Sequence, residues 1–509
     1  MIFKSVYIEG SFFVMKGEKM KKSILFGCVA ASALCVAVSV SAAPVVPTAD
    51  EVKTAFASYL GTGSQVGALF NADQVTVTPS GNDFDVALPA VQNDKLNLPA
   101  RTIRLTRAGE FNNQAQYKVD SAFEMLKDII TGLLPNSTLT ADSAEMETIW
   151  VPAYNLVSKS SSNIQGLKLS TSGSPEMPVA GTFTIAQAVS DSLIRPVSDT
   201  KMDASSSTDI KDFQIAVDNV IVEVPSVSQE NTTTGADISA DPITRMLSSS
   251  RDAMNFAVPN VYIKMTGAAE PVGSFSIAGA ASFEGDKGHF EMNIGQISAP
   301  VLAMFAPAAL VPTEIAYNVD ILNIDRDILS DLVKQGQDGT YTDEDVPLLK
   351  RAVDSNAVIQ LNYLGAKNDL AGISLNGTIR LKLDNPDEVT ELKDFETHLE
   401  PIVKAALTIT NLDKISPEPT VDQAQCDRAK AQVAAIDMTA EDAETQKAVA
   451  ERIEAQACAA HGGPLDELRP FIDPAKRVTS ADGTTTDVID LEYDNNTLTV
   501  NGNVLYQKD

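Results

Sequence analysis

The 509-residue chain carries 39 Lys and Arg against 68 Asp and Glu, a formal balance of −29, and is 44% apolar and 21% charged. So acidic a surface repels phosphate backbones and anionic membrane faces, which excludes ordinary DNA or RNA binding, and the apolar content excludes a disordered chain. One Trp and three His leave little of the usual equipment for metal ligation or acid–base chemistry near neutrality.

In chain order, the first signal is residues 20–43. Lys21 and Lys22 precede an apolar stretch from Ile24 to Val40, and Val40-Ser41-Ala42 supplies a small-x-small site before Ala43. This pattern predicts a bacterial export signal cleaved after Ala42, with an uncleaved anchor as the alternative. Residues 1–19 precede a better initiator at Met20 and are read as an extension without structural meaning. Removing residues 1–42, with five Lys and two Glu, leaves 34 basic against 66 acidic residues. The remaining ~465 residues exceed one ordinary core, so two or three domains or one elongated body are expected.

Period-two alternation dominates the chain beyond the signal. Val75 and Val77, a turn at 79–83, then Phe84, Val86 and Leu88 predict a hairpin. Phe275, Ile277, Gly279, Ala281 and Phe283 share one face, a turn spans 284–288, and Phe290, Met292 and Ile294 continue on a second strand. Ile315 to Ile321 predicts a further strand. Ile359, Leu361 and Tyr363 alternate before a turn, after which Ile373, Leu375, Gly377, Ile379, Leu381 and Leu383 keep one parity. That unbroken parity favours a continuous strand or bulge over a hairpin at Asn376-Gly377. Val403 to Ile409 adds a strand, and Ile489–Tyr493 pairs with Leu498–Tyr506 across residues 494–496. Helical spacing is read at 49–60, 121–134, 241–256, 299–310, 325–334 and 343–352, with Thr342 and Asp345 placed as a capping box.

Segments 421–436 and 440–460 are rich in Ala, Gln and Glu and predict a helical hairpin. Cys426 and Cys458 are the two cysteines left after the signal and are expected to pair in an oxidising compartment. With a bend at residue 438 they would lie about 12 Å out of step at ~1.5 Å per residue, so either the bend lies later, near Asp442, with one helix ending early, or the cysteines do not pair; the first is preferred. The fold class expected is α+β: long antiparallel strands in twisted sheets, interspersed helices and a C-terminal helical hairpin. Its organisation is a signal over 1–42, α+β regions over 43–235 and 236–415, the helical hairpin over 416–470 and a closing β-hairpin over 471–509.

Motifs for chemistry are weak. Gly61-Thr-Gly63-Ser-Gln-Val-Gly67 misses the dinucleotide spacing by one and follows a helix, so it reads as a helix end and loop. Ser198-Asp-Thr-Lys201 matches a Ser-x-x-Lys tetrad without its companion motifs and reads as a loop. The carboxylates at 325, 327, 331, 338 and 343–345 fit no calcium-loop register, and those at 343–345 suit a helix start. His289, His398 and His461 are placed in a turn, at a polar helix end and at a helix C-terminus, as solvated surface. No catalytic residue, cofactor or metal is assigned.

Val358–Leu364, Lys367-Asn368, Gly372–Ser374, the strand to Leu383, Asn385-Pro386 and the helix leading into 403–410 resemble the C-terminal half of the YdgA-like bacterial envelope proteins. Residues 490–502 resemble that family's closing hairpin. The resemblance implies an exported or inner-membrane-anchored protein of a Gram-negative bacterium, built of long strands and helices, with no catalytic residues to carry over. This chain departs from the family by its cleavable signal, its acidity and the cysteine-bearing segment. The functional expectation is a non-enzymatic periplasmic protein that binds lipid, a hydrophobic chain or another envelope protein along an extended sheet. Phe275, Ile277, Phe283, Phe290, Met292, Ile373, Ile379 and Leu381 would line that groove or form the core. A structural or adhesive surface protein is the first alternative; a hydrolase, signalled by a Ser beside a His, is the second.

Overall fold

The computed structural model describes residues 46–61, 72–93, 96–120, 122–134, 136–172, 180–238, 247–300, 308–337, 341–416, 423–434, 447–449, 451–453 and 465–507, with residues 245, 455 and 458. They divide into two compact units, the first including residues up to 212 with 230–249, the second 213–229 with 250–509.

In the first unit, Thr48 and Glu51 start helix α1 (Ala49–Gly61) reciprocally. Glu51 Oε2 accepts the Thr48 N–H at 2.7 Å, and Thr48 Oγ1 accepts the Glu51 N–H at 3.3 Å. One turn apart on the inner face, Val52 and Phe56 are fully buried. They pack on antiparallel strands β1 (Thr76–Ser80), β2 (Asp83–Leu88), β5 (Arg101–Phe111), β6 (Gln114–Val119) and β8 (Ser143–Val151), β3 (Val91–Asn93) and β4 (Leu96–Leu98) forming a separate ribbon. Helix α2 (Ala122–Leu133) adds Met125 and Ile129 to the same core. Strand β7 (Ser137–Thr140) pairs with the long β9 (Leu156–Thr171), which also pairs with β10 (Gly181–Pro196). Strands β11 (Lys201–Val217) and β12 (Val220–Asp237) come next, and the division between units falls within both.

Strands β9–β12, of 16 to 18 residues, have no counterpart among the elements expected from sequence. Runs such as Ser160-Ser-Ser162 and Thr232-Thr-Thr234 hide any apolar period, and hydroxyl residues fit a pleated surface without advertising which side is buried. Ser198–Lys201 is the turn between β10 and β11, as its loop reading required: the Val197 N–H donates to the Lys201 carbonyl at 2.8 Å.

Asp83 ties the β2 end to β5. Its Oδ1 accepts the Arg107 N–H at 2.9 Å and its Oδ2 takes Arg104 Nη2 at 2.8 Å. The Arg107 N–H bond, and after it the Arg104 guanidinium, hold the carboxyl below the ordinary aspartate value of 3.8. A depressed folded-state value means that the group stabilises the fold above its unfolded pKa and ceases to as pH falls through the folded one. Acid unfolding of Asp83→Asn should therefore show a shallower loss of stability below pH 3.8 than wild type, read by circular dichroism; identical acid slopes would refute the linkage.

The second unit is built on consecutive antiparallel strands β13 (Arg251–Met265), β14 (Gly273–Glu284), β15 (Lys287–Ser298), β16 (Glu314–Leu322), β17 (Val358–Lys367), β18 (Gly372–Leu383) and β19 (Leu399–Thr410). Each pairs with the next. The predicted turn at 284–288 is present, with Glu284 opposite Lys287, and β18 runs unbroken through Asn376-Gly377. The helix predicted over 241–256 is overturned beyond its start: from Arg251 the chain is strand, because Met254, Phe256 and Val258 alternate and find β14 as a partner. The helix predicted over 299–310 lies mostly outside the described residues, and 308–310 form a single 3₁₀ turn.

Helices then cover two ends of this sheet. Helix α3 (Arg326–Gln337) begins with Asp325 Oδ1 accepting the N–H groups of Asp327 and Ile328, so this carboxylate has a structural task. Asp345 accepts the Thr342 N–H at 2.7 Å in the expected capping box, ahead of α4 (Val346–Asp354). Val346 of α4 and Phe395 of α5 (Leu392–His398) bury Leu383 and Leu399. Helix α6 (Leu412–Ile415) with Leu465, Leu468 and Phe471 buries Ile373, Leu407 and Ile409.

Ser416 and Leu465 meet at this core, the Leu465 N–H donating to Ser416 Oγ at 3.2 Å. Arg469 closes the base, bonding Asp413 Oδ1 and Asp466 Oδ1, each at 3.0 Å. Between them in sequence, Cys426 on α7 (Gln423–Ala434) is bonded to Cys458 with Cα atoms 4.6 Å apart. Of the predicted helical hairpin only α7 is a described helix of full length; the bend near Asp442 lies outside the described residues.

Strands β20 (Val478–Thr479), β21 (Thr485–Asp494), β22 (Thr497–Val500) and β23 (Asn503–Gln507) close the unit, β21 pairing with β19. The single strand predicted over 498–506 is two. Asn501 (φ 51°) and Gly502 (φ 79°) reverse the chain, the residue pair most at ease with two left-handed positions.

Candidate functional site: two faces of a long sheet

Directly opposed residues in an antiparallel pair lie on the same face, so the register of β13–β19 sorts every side chain. One row runs Phe283, Gly288, Ile321, Ile359, Ile379, Val403. Parallel rows carry Ala281, Phe290, Val319 and Leu361, then Met292, Tyr317, Leu364, Leu375 and Leu407, then Ile277, Ile294, Ile315, Ala366, Ile373 and Ile409. Nearly every side chain on this face is apolar.

Glycines seat its aromatic rings. A Cβ at Gly279 would stand 2.4 Å from the Phe256 ring, and one at Gly288 would stand 2.9 Å from that of Phe283. Phe283 in turn meets Phe290 edge-on, with centroids 5.3 Å apart.

All eight residues singled out from the sequence fall on this face. Ile373 is packed under α6, Leu381 is 45% exposed, and Phe275, Ile277, Phe283, Phe290, Met292 and Ile379 are half-buried. Between the two helix-covered ends, further members stand open: Leu364 is 46% exposed, Ile359 40%, Ile315 39% and Met254 37%. Sequence reasoning placed Ile315 and Ile359 on strands but had no register to align them, and it missed Leu364 because a bulge between Leu361 and Leu364 changes the parity.

The opposite face is polar. There Ser282, His289, Asp320, Gln360, Thr378 and Lys404 form one row. His289 lies within β15, not in a turn, and is engaged on both ring nitrogens. Its Nδ1 is 2.6 Å from Asp320 Oδ1, and its Nε2 is 3.6 Å from Glu291 Oε2. The Asp320 bond, with the charges of Asp320 and Glu291, pushes the imidazole pKa up. His289 and Asn362 draw that of Asp320 down. Asn362, the extra residue where the β16–β17 register shifts, donates to Asp320 Oδ2 at 2.7 Å and to Asn318 Oδ1 at 2.8 Å.

Ser282, His289 and Asp320 thus stand in triad order across three strands, but Nε2 is directed at Glu291, so the row is not a nucleophile–base pair. His398 ends α5 as expected, and His461 lies outside the described residues. Among the described residues no three His, Cys, Asp or Glu side chains form a group able to hold a metal ion, and no helix is long and apolar enough to cross a membrane. A shallow depression lined by Asn376, Gly377, Lys404, Ala406, Asp490 and Glu492 lies open on β18, β19 and β21. No family model, no curated protein and no solved structure matches the chain.

Proposed function

We propose that the chain is a non-enzymatic, exported envelope protein of the YdgA-like kind whose second unit binds the acyl chain of a lipid along the apolar face of β13–β19. The observation that carries this reading is the exposure of Met254, Ile315, Ile359, Leu364 and Leu381 on that one face. A sheet with one apolar side needs a second layer, and among the described residues helices supply it only at the two ends. Seven strands at ~4.8 Å spacing give a face about 29 Å across. That exceeds the ~15 Å that one leaflet's acyl chain occupies in a bilayer of ~30 Å hydrocarbon thickness. An extended chain can therefore lie across the strands, while the net charge of −29 disfavours docking on an anionic membrane as a whole.

The test is lipid extraction and native mass spectrometry of the full chain purified with its own signal, followed by titration with a fluorescent fatty acid. Wild type should carry or take up the acyl ligand, and Ile359→Glu with Leu364→Glu should weaken uptake at least tenfold while leaving the fold intact, since both sites are exposed. Uptake equal in the double variant, or a wild-type dimer that dissociates on these substitutions without ever taking ligand, would overturn the reading.

A further inference from the structure

The outer edge of the closing strands is unguarded. Strand β23 is hydrogen-bonded to β22 on one side, and among the described residues no strand stands on the other. All five of its residues are exposed, Val504 at 63%, Tyr506 at 55% and Leu505 at 41%. Such an edge offers unpaired N–H and C=O groups to any strand that can reach it, and soluble proteins ordinarily block it with lysine, proline or an inward charge. From Asn495 to Gln507 this chain has neither a charge nor a proline. The one irregularity is the register shift beside Leu505, and the residues on either side of it remain paired with β22.

We propose that β23 pairs antiparallel with β23 of a second copy of the chain, joining the two sheets edge to edge. Charge decides for an identical partner. With a balance of −29, two copies repel one another over most of their surface, and the uncharged margin of β22 and β23 is where they can come within the ~4.8 Å of paired strands. A basic foreign strand would be drawn by carboxylates along the edge, and neither strand carries one. Two antiparallel copies of one strand are related by a two-fold axis, so the contact closes at a dimer.

That axis stands perpendicular to the sheet and keeps the apolar sides of both copies together. Ile379, Val403, Tyr493, Leu498 and Tyr506 stand opposite one another in turn, so the apolar face reaches the edge itself. Across the join Tyr506 of each copy extends the apolar surface of the other, and the two faces become continuous. The use of that surface rests on the acyl-chain reading; the pairing does not. An edge of five residues buries less than the ~1,200 Å² at which standard interfaces begin, so the dimer is weak and concentration-dependent.

Sedimentation velocity of the purified full chain without added lipid, from about 1 to about 300 µM, spans the affinities of so small an interface. Wild type should pass from one copy to two. Val504→Lys with Tyr506→Lys sets like charges against each other at the join and should raise the dissociation constant at least tenfold, whereas Ile359→Glu with Leu364→Glu should leave it unchanged. Amide hydrogen exchange of residues 503–507 should slow with protein concentration in wild type and not in the lysine variant. A wild type that stays a single copy over this range, a dimer that survives the two lysines, or one lost on the apolar-face substitutions would overturn the proposal. Circular dichroism checks that each variant is folded, as substitution at exposed positions leads one to expect.

Discussion

Arg477→Met should cost the second unit about 3–5 kcal/mol, the usual penalty for leaving one partner of a buried ion pair uncompensated. Asp487 on β21 is 1% exposed and stands opposite Ile409, so it sits on the apolar side of the sheet beside the core under α6. Arg477 answers it with two parallel bonds, Nε to Oδ1 at 2.7 Å and Nη2 to Oδ2 at 3.0 Å. Urea unfolding followed by circular dichroism gives the loss. The companion variant Arg477→Met with Asp487→Leu should recover most of it, because a buried pair replaced by apolar groups is often neutral. A single variant as stable as wild type would show that the carboxylate reaches water.

Trp150→Ala should cost the first unit a similar 3–5 kcal/mol. The side chain is fully buried, meets Phe56 of α1 edge-on with centroids 5.4 Å apart, and donates from Nε1 to Asn155 Oδ1 at 3.0 Å. Its removal takes the helix–sheet contact and strands a buried amide together, two losses that a smaller aromatic divides. Trp150→Phe should therefore lie between alanine and wild type. Denaturant midpoints by circular dichroism measure all three, and an alanine variant within 1 kcal/mol of wild type would mean that α1 packs independently of this ring. As Trp150 is the chain's sole tryptophan, its fluorescence follows the unfolding of the first unit.

Legibility followed period. Where apolar residues alternate strictly, as at 275–283, 315–321 and 373–383, the strands stand where alternation put them. Where hydroxyl residues fill both faces, as in β9–β12, no pattern exists to read, and only the pairing partner makes the strand. Asn501-Gly502 is the instructive case on the other side. Its residue types announce a two-residue reversal, yet the apolar Leu498, Val500, Val504 and Tyr506 around it share one parity and masked the turn.

The sequence by itself determined strands β14 to β19 of the second unit, the first helices and the capping box at Thr342, because each depends on spacing or residue type close along the chain, and it left Cys426 and Cys458 as the two cysteines able to pair. Only the tertiary structure decided which side chains meet. Register between β13 and β19 aligned Ile315, Ile359, Leu364 and Leu381 into one open face. The same register brought His289 on β15 to Asp320 on β16. A one-residue slip of any strand would send these groups to opposite sides, and nothing local to a strand specifies that alignment.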